Sequence, residues 1–417
     1  MALISSWVES ANDARSPFPL NNLPYGVFSA GDGERRCGVA IGTYILDLHA
    51  AETAGVGQAN GALSTGGWNC FMAQGRSQWT ALREELQQML AEGGAHRSEL
   101  EKLMVLQSRA QMFMPFEVAE YTDFYASRHH ATNVGTMFRG AENALPPNWL
   151  HIPIGYNGRA SSVVVSGTDV RRPWGQIKGP DDAVPRFAPS ARFDIELEMG
   201  AIVGTPSSGP LTVKEADNHI FGYVLLNDWS ARDIQAWEYQ PLGPFQSKAT
   251  ATSISPWIVT TDALSEVRCT TPAREVKLLP HLQDDGPMLY DIELAVSLAP
   301  SGHAPQTIAR TNYNEMYYSS AQQLAHHTSS GCAMRTGDLL GSGTISGAQP
   351  GQRGSLLELS WGGQHPFVLE DGQQRSFLED GDTVTLSGAA RGEGYTIGFG
   401  ECSGTVLPAM SDPYARR

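Results

Sequence analysis

The residues best suited to chemistry meet first in Phe193-Asp194-Ile195-Glu196-Leu197-Glu198-Met199. The segment alternates, with Phe193, Ile195, Leu197 and Met199 on one side and Asp194, Glu196 and Glu198 on the other. A period of two marks a β-strand with one buried face. Glu196 and Glu198 then point the same way, with Cα atoms about 6.6 Å apart, so both carboxylates can reach one cation. Any half-exposed strand shows the same alternation without a function. Two features weigh against that plainer reading. Acidic residues are poor strand formers, and like charges along one face repel unless something neutralises them. A divalent cation would do so.

Other candidate groups lie on both sides of this segment. Residues 121–140, YTDFYASRHHATNVGTMFRG, gather Asp123, Tyr125, His129, His130 and Arg139 into what reads as a turn-rich loop, the kind of segment that often carries function. Taken singly, such a histidine is more often structural, and such an Asp or Arg solvated. Residues 220–226 read as a buried strand running into NDWSARDIQ, which puts Asp228 at a strand end as a third carboxylate. Arg232 and Gln235 are three apart, as on one face of a helical turn; a surface pair of Arg232 with Asp233 is the plain alternative. Lys248 follows a Gly- and Pro-containing stretch and by itself reads as solvated. Glu358 sits within Leu356-Leu357-Glu358-Leu359-Ser360-Trp361, which reads as an apolar strand, and a buried glutamate needs a partner. His326-His327 has no second His or Cys group at ligand spacing, so zinc is not expected; the acidic set favours a hard cation. Gly341-Ser342-Gly343-Thr344 is not followed by a helical pattern, so no dinucleotide site is expected.

These groups need a scaffold, and the pattern predicts a mostly β one, a sandwich or roll with few helices. Residues 1–117 read as a separate unit with strands near 25–28 and 38–48. A helix follows on Trp79, Leu82, Leu86, Met89 and Leu90, ended by Gly93-Gly94, then a second helix over 98–108 and a boundary at Pro115. Beyond it the expected elements are strands at 163–165, 220–226 and 292–298 and a helix over 313–327. Residues 171–192 read as a long surface loop and 263–290 as a loop-rich insertion. Short strands are expected at 341–347, 356–361, 383–386 and 395–400.

The chain has 417 residues, 41% of them apolar, enough for sizeable cores. It has no apolar run of about 18 residues, and its start reads as no signal peptide. Five cysteines without a C-x-x-C pair read as free thiols in a reducing compartment, the cytoplasm. A formal charge of −15 disfavours nucleic acid and anionic membrane as partners. An anionic substrate would need local Arg and Lys groups.

The blocks YTDFYASRHHATNVG, RFDIELEMG, NDWSARDIQAWEYQPLGPF, GDLLGSGTISG, LLELSWGG and GYTIGFGECSG, in that order, closely resemble the fumarylacetoacetate hydrolase family. The likeness covers nearly all of residues 118–410 and, more weakly, the N-terminal part. It implies an N-terminal SH3-like barrel domain over 1–117, a C-terminal mixed β-sandwich roll over 118–417, and a homodimer. It implies Ca²⁺ or Mg²⁺ held by Asp123, Glu196, Glu198 and Asp228, with Lys248 and Thr252 near a further magnesium. It implies His130 as general base, Glu358 as the carboxylate that orients it, and Arg232, Gln235 and Lys248 as oxyanion stabilisers. Tyr125, Arg139, Tyr156, Gln235, Tyr239 and Thr344 match substrate contacts, Arg139 for a substrate carboxylate. The implied reaction hydrolyses the carbon–carbon bond of a dicarboxylate β-diketone, 4-fumarylacetoacetate, to fumarate and acetoacetate, the last step of tyrosine and phenylalanine breakdown. A related diketo-acid hydrolase or decarboxylase is the alternative. Lys248 is flanked by Ser247 and Ala249 where the family more often has Gly and Ser, and residues 178–192 and 263–290 match poorly.

Overall fold

The computed structural model describes residues 2–31, 33–57, 59–370, 372–412 and 414–415. Near the N-terminus, Met104–Leu106, Tyr44–Asp47, Arg36–Ile41, Tyr25–Ser29 and Gln111–Phe113 form, in that spatial order, an antiparallel sheet of five strands. The helix Arg76–Leu90 buries Trp79, Leu82, Leu86, Met89 and Leu90, the residues whose spacing predicts it. The second expected helix is corrected. One turn, Arg97–Leu100, gives way to a 3-10 turn, and Met104–Leu106 joins the sheet edge beside Tyr44–Asp47. Pairing with a strand already in place overrides the local preference.

The larger part is a sandwich. Its first sheet runs Gly155–Asn157, Tyr121–Phe124, Leu339–Gly341, Leu197–Val203, Ile220–Asp228, Thr252–Ile254, Val163–Val165, with Val259–Thr260 also on Ile220–Asp228. Its second runs Gln306–Asn312, Glu293–Ala299, Thr383–Gly392, Tyr395–Leu407, Val170–Arg171. Met199, Ala201, Val203, Tyr223 and Leu225 face the second sheet's Val296, Leu386 and Phe399 in one core. Ile202, Val224, Leu226 and Leu339 face the other way, into a core shared with Tyr25, Trp68 and Leu86.

The N-terminal unit therefore covers the face that a half-exposed strand would leave wet. Every residue of Leu197–Val203 is buried, so the expectation of one solvated face is corrected. The strand also breaks at Ile195-Glu196. Phe193–Asp194 pairs instead with Ser230–Ala231, and Asp194 leaves the side shared by Glu196 and Glu198.

Five further segments differ from expectation. Residues 121–140 are a strand, Tyr121–Phe124, and a helix, Arg128–Arg139, rather than a turn-rich loop. Residues 356–361 carry the short helix Leu356–Leu359, capped by Ser355, instead of a strand. Within 171–192, Trp174–Ile177 and Arg186–Pro189 form an antiparallel ribbon. The expected strand at 341–347 is only Leu339–Gly341, and the helix expected over 313–327 is Ser320–Thr328 after a 3-10 turn. Residues 263–290 are loop-rich, with short turns and two-residue strands. The five cysteines form no disulfide. Among the described residues, no helix is long and apolar enough to cross a membrane.

Candidate active site

Four carboxylates converge where the first sheet's strands end. Asp123 comes from Tyr121–Phe124, Glu198 from Leu197–Val203, Asp228 from the end of Ile220–Asp228, and Glu196 from the strand break. One oxygen from each lies within 4.8 Å of the others, and all four residues are buried. Parallel pairing puts Asp123 opposite Gly341, and antiparallel pairing puts Gly341 opposite Gly200. A Cβ at Gly341 would meet Glu198 Oε2 at 2.9 Å, Asp123 Oδ1 at 3.0 Å and the Tyr121 hydroxyl at 3.1 Å. Gly341→Ala is thus expected to push these oxygens apart and weaken divalent-cation binding by roughly 10–100-fold, the range for disturbed ligand support. Calorimetric titration with Ca²⁺ or Mg²⁺ checks this.

Two cations of the protein reach the cluster. Lys248 Nζ lies 2.5 Å from Glu196 Oε2 and 2.8 Å from Asp228 Oδ2. Arg232 Nη2 lies 2.7 Å from Glu196 Oε1, its Nε donates to Asp194 Oδ2 at 2.8 Å, and its Nη1 donates to Gln235 Oε1 at 3.1 Å. Burial raises the Glu196 carboxyl, but Lys248, Arg232 and His130 overcome it and hold that group well below the usual range. Among the described residues, Asp123 and Glu198 have no Lys or Arg as close. Burial first, then the other carboxylates, pushes both well above the usual range. Asp228 is also raised, by burial first, with Lys248 opposing.

Asp123 Oδ1, Glu198 Oε1 and Asp228 Oδ1 are buried without a hydrogen-bond partner. Facing carboxylate oxygens left unpaired are costly unless a cation meets them. The donor set is all oxygen and anionic, which suits a hard divalent ion. The residues fit a metal.

Beside the cluster stands a histidine–carboxylate pair. Ser127 caps the helix Arg128–Arg139 by accepting the His130 N–H, which fixes His130 in the first turn. His130 Nδ1 lies 2.7 Å from Glu358 Oε2, and its Nε2 lies 3.9 Å from Glu196 Oε1. Glu358 is buried, and the hydroxyls of Ser346 and Ser355 donate to its Oε2 at 2.9 and 2.8 Å. Asn133 Nδ2 donates to its Oε1 at 2.8 Å. Burial raises the Glu358 carboxyl, but His130 and these donors outweigh it, and the group lies below its ordinary value. An ionised Glu358 only accepts, so Nδ1 carries the proton and Nε2 is left as a base; this tautomer follows from the hydrogen-bond network.

A cavity of about 350 Å³ opens over both groups. Asp123, Tyr125, His130, Arg139, Tyr156, Glu196, Arg232, Gln235, Tyr239, Lys248 and Thr344 line it. Glu198 and Asp228 lie behind in the cluster, and Glu358 behind His130. Thr252 is buried opposite Asp228 across the sheet. The Thr344 hydroxyl is buried without a partner. The Tyr125 ring packs edge-on to His130, with centroids 5.4 Å apart. Arg139 sits at the rim, where its guanidinium donates to the carbonyls of Asn143 and Ala144. His129 turns away to Glu315, 3.4 Å off. His327 Nε2 meets the Thr122 hydroxyl at 3.0 Å and adds no ligand to the cluster.

Residue-by-residue reading missed Asn133, Ser346 and Ser355. Signals were present for two of them: Asn133 follows His130 by three on one helix, and Ser355 precedes Glu358 by three, a capping pattern.

A mainly β sandwich with a carboxylate cluster beside a His–Glu pair has the equipment of a metal-assisted hydrolase. Residues 21–115 match the family described as Fumarylacetoacetase N-terminal, and residues 120–407 that described as Fumarylacetoacetate (FAA) hydrolase C-terminal. The chain belongs to the fumarylacetoacetate hydrolase family. Over 409 residues it is 50% identical to the fumarylacetoacetase of Caenorhabditis elegans, covering 94% of this chain and 97% of the relative. Over 417 residues it is 48% identical to that of Homo sapiens, covering 97% and 99%. The solved fumarylacetoacetate hydrolase of Exiguobacterium antarcticum shares the fold, with a TM-score of 0.53 at 16% identity over 93% of this chain and 99% of that one.

Proposed function

We propose that the protein hydrolyses 4-fumarylacetoacetate to fumarate and acetoacetate. One observation carries the mechanism: His130, fixed 2.7 Å from Glu358 through Nδ1, presents Nε2 to the cavity 3.9 Å from Glu196 at the edge of the acid cluster. Nε2 takes a proton from water, whose oxygen bonds to the carbonyl carbon on the fumaryl side. Glu358 fixes the tautomer and stabilises the imidazolium, as the acid does in a Ser-His-Asp triad, with water in place of serine. Arg232, Lys248 and the Gln235 amide meet the oxyanion. The carbon–carbon bond then breaks, its electron pair leaves with acetoacetate as an enolate, and the imidazolium proton goes to that carbon. A divalent cation, Ca²⁺ or Mg²⁺, held by Asp123, Glu196, Glu198 and Asp228 would polarise the diketone oxygens as a Lewis acid.

In this reading Tyr125, Tyr156, Tyr239 and Thr344 contact substrate, and Arg139 at the rim binds a substrate carboxylate by turning its donors from the 143–144 carbonyls. The Lys248 ammonium has no lone pair. It serves as counter-charge, so a second magnesium beside Lys248 and Thr252 would take oxygen ligands there. Residues 1–117 and 118–417 are taken as two domains. The unpaired cysteines and the formal charge of −15 support a cytoplasmic protein without nucleic-acid or membrane partners. Homodimerisation rests on the family likeness.

Turnover in ¹⁸O-labelled water tests the reaction. Label in the new carboxylate of fumarate and none in the carboxylate of acetoacetate is expected. Labelled malonate, from attack at the other carbonyl, or a decarboxylated product, overturns it.

A further inference from the structure

Asp194 is the acid of the 193–199 segment that the carboxylate cluster does not use. It is fully buried, and its two oxygens take four donors. Oδ1 accepts the N–H groups of Ile195 at 2.7 Å and Leu356 at 2.8 Å. Oδ2 accepts Leu357 N–H at 3.0 Å and Arg232 Nε–H at 2.8 Å. Leu356 and Leu357 open the helix Leu356–Leu359, whose third residue is Glu358.

A helix this short cannot hold itself, and its first N–H groups have no partner within it. Asp194 takes the first two, and the Ser355 hydroxyl takes the third, that of Glu358. On its other side Asp194 grips the guanidinium whose far end meets Glu196 and Gln235. One carboxylate thus joins, with no residue between, the cation offered to the oxyanion and the turn that sets Glu358 against His130. Charge balance alone does not require this arrangement, because Glu196 already faces Arg232 at 2.7 Å.

We propose that Asp194 is a positioning residue for the hydrolysis, fixing at once where Arg232 meets the oxyanion and where Glu358 holds His130. The proposal rests on the reaction assigned above.

Asp194→Asn keeps the size and one acceptor oxygen but sets an NH₂ donor against two of the four donors, either Leu357 N–H and Arg232 Nε–H or Ile195 N–H and Leu356 N–H. It is expected to lower kcat roughly 10–100-fold, the range for groups that orient catalytic ligands. KM and the calorimetric Kd for Ca²⁺ or Mg²⁺ should stay within about threefold of wild type, since the four ligands are untouched. Arg232→Lys should lose far less activity in the Asp194→Asn background than in wild type, because contacting residues couple. A second readout needs no turnover. In ¹⁵N-arginine-labelled wild type, the Arg232 Nε–H signal, assigned by its loss in Arg232→Lys, should exchange slowly with water, and Asp194→Asn should shift it and speed its exchange.

Unchanged kcat, or a kcat loss matched by an equal loss of cation affinity, overturns the proposal. So does rapid Nε–H exchange in wild type, which decides the matter should the variant not fold. Wild type that shows the protected signal but leaves fumarylacetoacetate intact would count against the reaction, not against the link between Asp194 and Arg232.

Discussion

Replacing His130 by alanine is expected to lower kcat by about 10⁴-fold, the upper range for a lost general base, while cation affinity stays within about twofold. The base is lost because Nε2 is the atom that faces the cavity, and Nδ1 is committed to Glu358 at 2.7 Å. The cation site survives because His130 is not among its four carboxylates. Glu358, left without its ring partner, keeps the hydroxyls of Ser346 and Ser355 and the Asn133 amide. Steady-state turnover of fumarylacetoacetate and calorimetric Ca²⁺ or Mg²⁺ titration read the two effects separately. Loss of both together would mark His130 as a structural residue.

Glu198→Gln is expected to act in the opposite way, removing the cation first. Glu198 Oε1 is one of the buried oxygens without a partner, and Oε2 accepts the Gly343 N–H at 2.9 Å. An amide can keep the second contact but brings no charge to the first. Disturbing outer-shell support costs about 10–100-fold in affinity, so loss of a charged ligand is expected to exceed roughly 100-fold. Stability should move with opposite signs in the two states. Without metal, Glu198 is a buried acid crowded by Asp123, Glu196 and Asp228, and the neutral isostere relieves that repulsion. The chelated variant should therefore melt above chelated wild type, and the metal-loaded variant below loaded wild type. Differential scanning calorimetry with and without chelator reads this. Normal metal content with normal activity in the variant would sink the ligand assignment.

Three of the four cluster acids were legible from residue types and pattern. Alternation placed Glu196 and Glu198 together, and the strand-end position of Asp228 marked it as a third carboxylate; the structure brings these three into one group with Asp123. Alternation failed for Asp194 because the strand breaks at Ile195-Glu196, and a period of two holds only within an unbroken strand. It also read one face as wet. The N-terminal unit covers that face, and no local pattern announces which surface a distant segment will bury.

The His130 helix hid for a different reason. Its buried positions are His130, Ala131 and Gly135, so the inward face is a histidine and two small residues instead of an apolar stripe. Leu356–Leu359 is too short for a period of 3.6 to register. Only the serine three residues before Glu358 marked it. The roles proposed for His130, Glu358 and Arg232 came from the family's motifs. Their distances follow from the fold, which joins residues 228 positions apart in the His130–Glu358 pair.

The loss of the ultraviolet absorbance of fumarylacetoacetate, before and after thorough chelation and again after Ca²⁺ or Mg²⁺ is added back, tests the joint claim of substrate and metal site. Rapid loss that stops on chelation and returns with the cation is the predicted result. No loss under any metal condition, in protein shown to be folded, would contradict it.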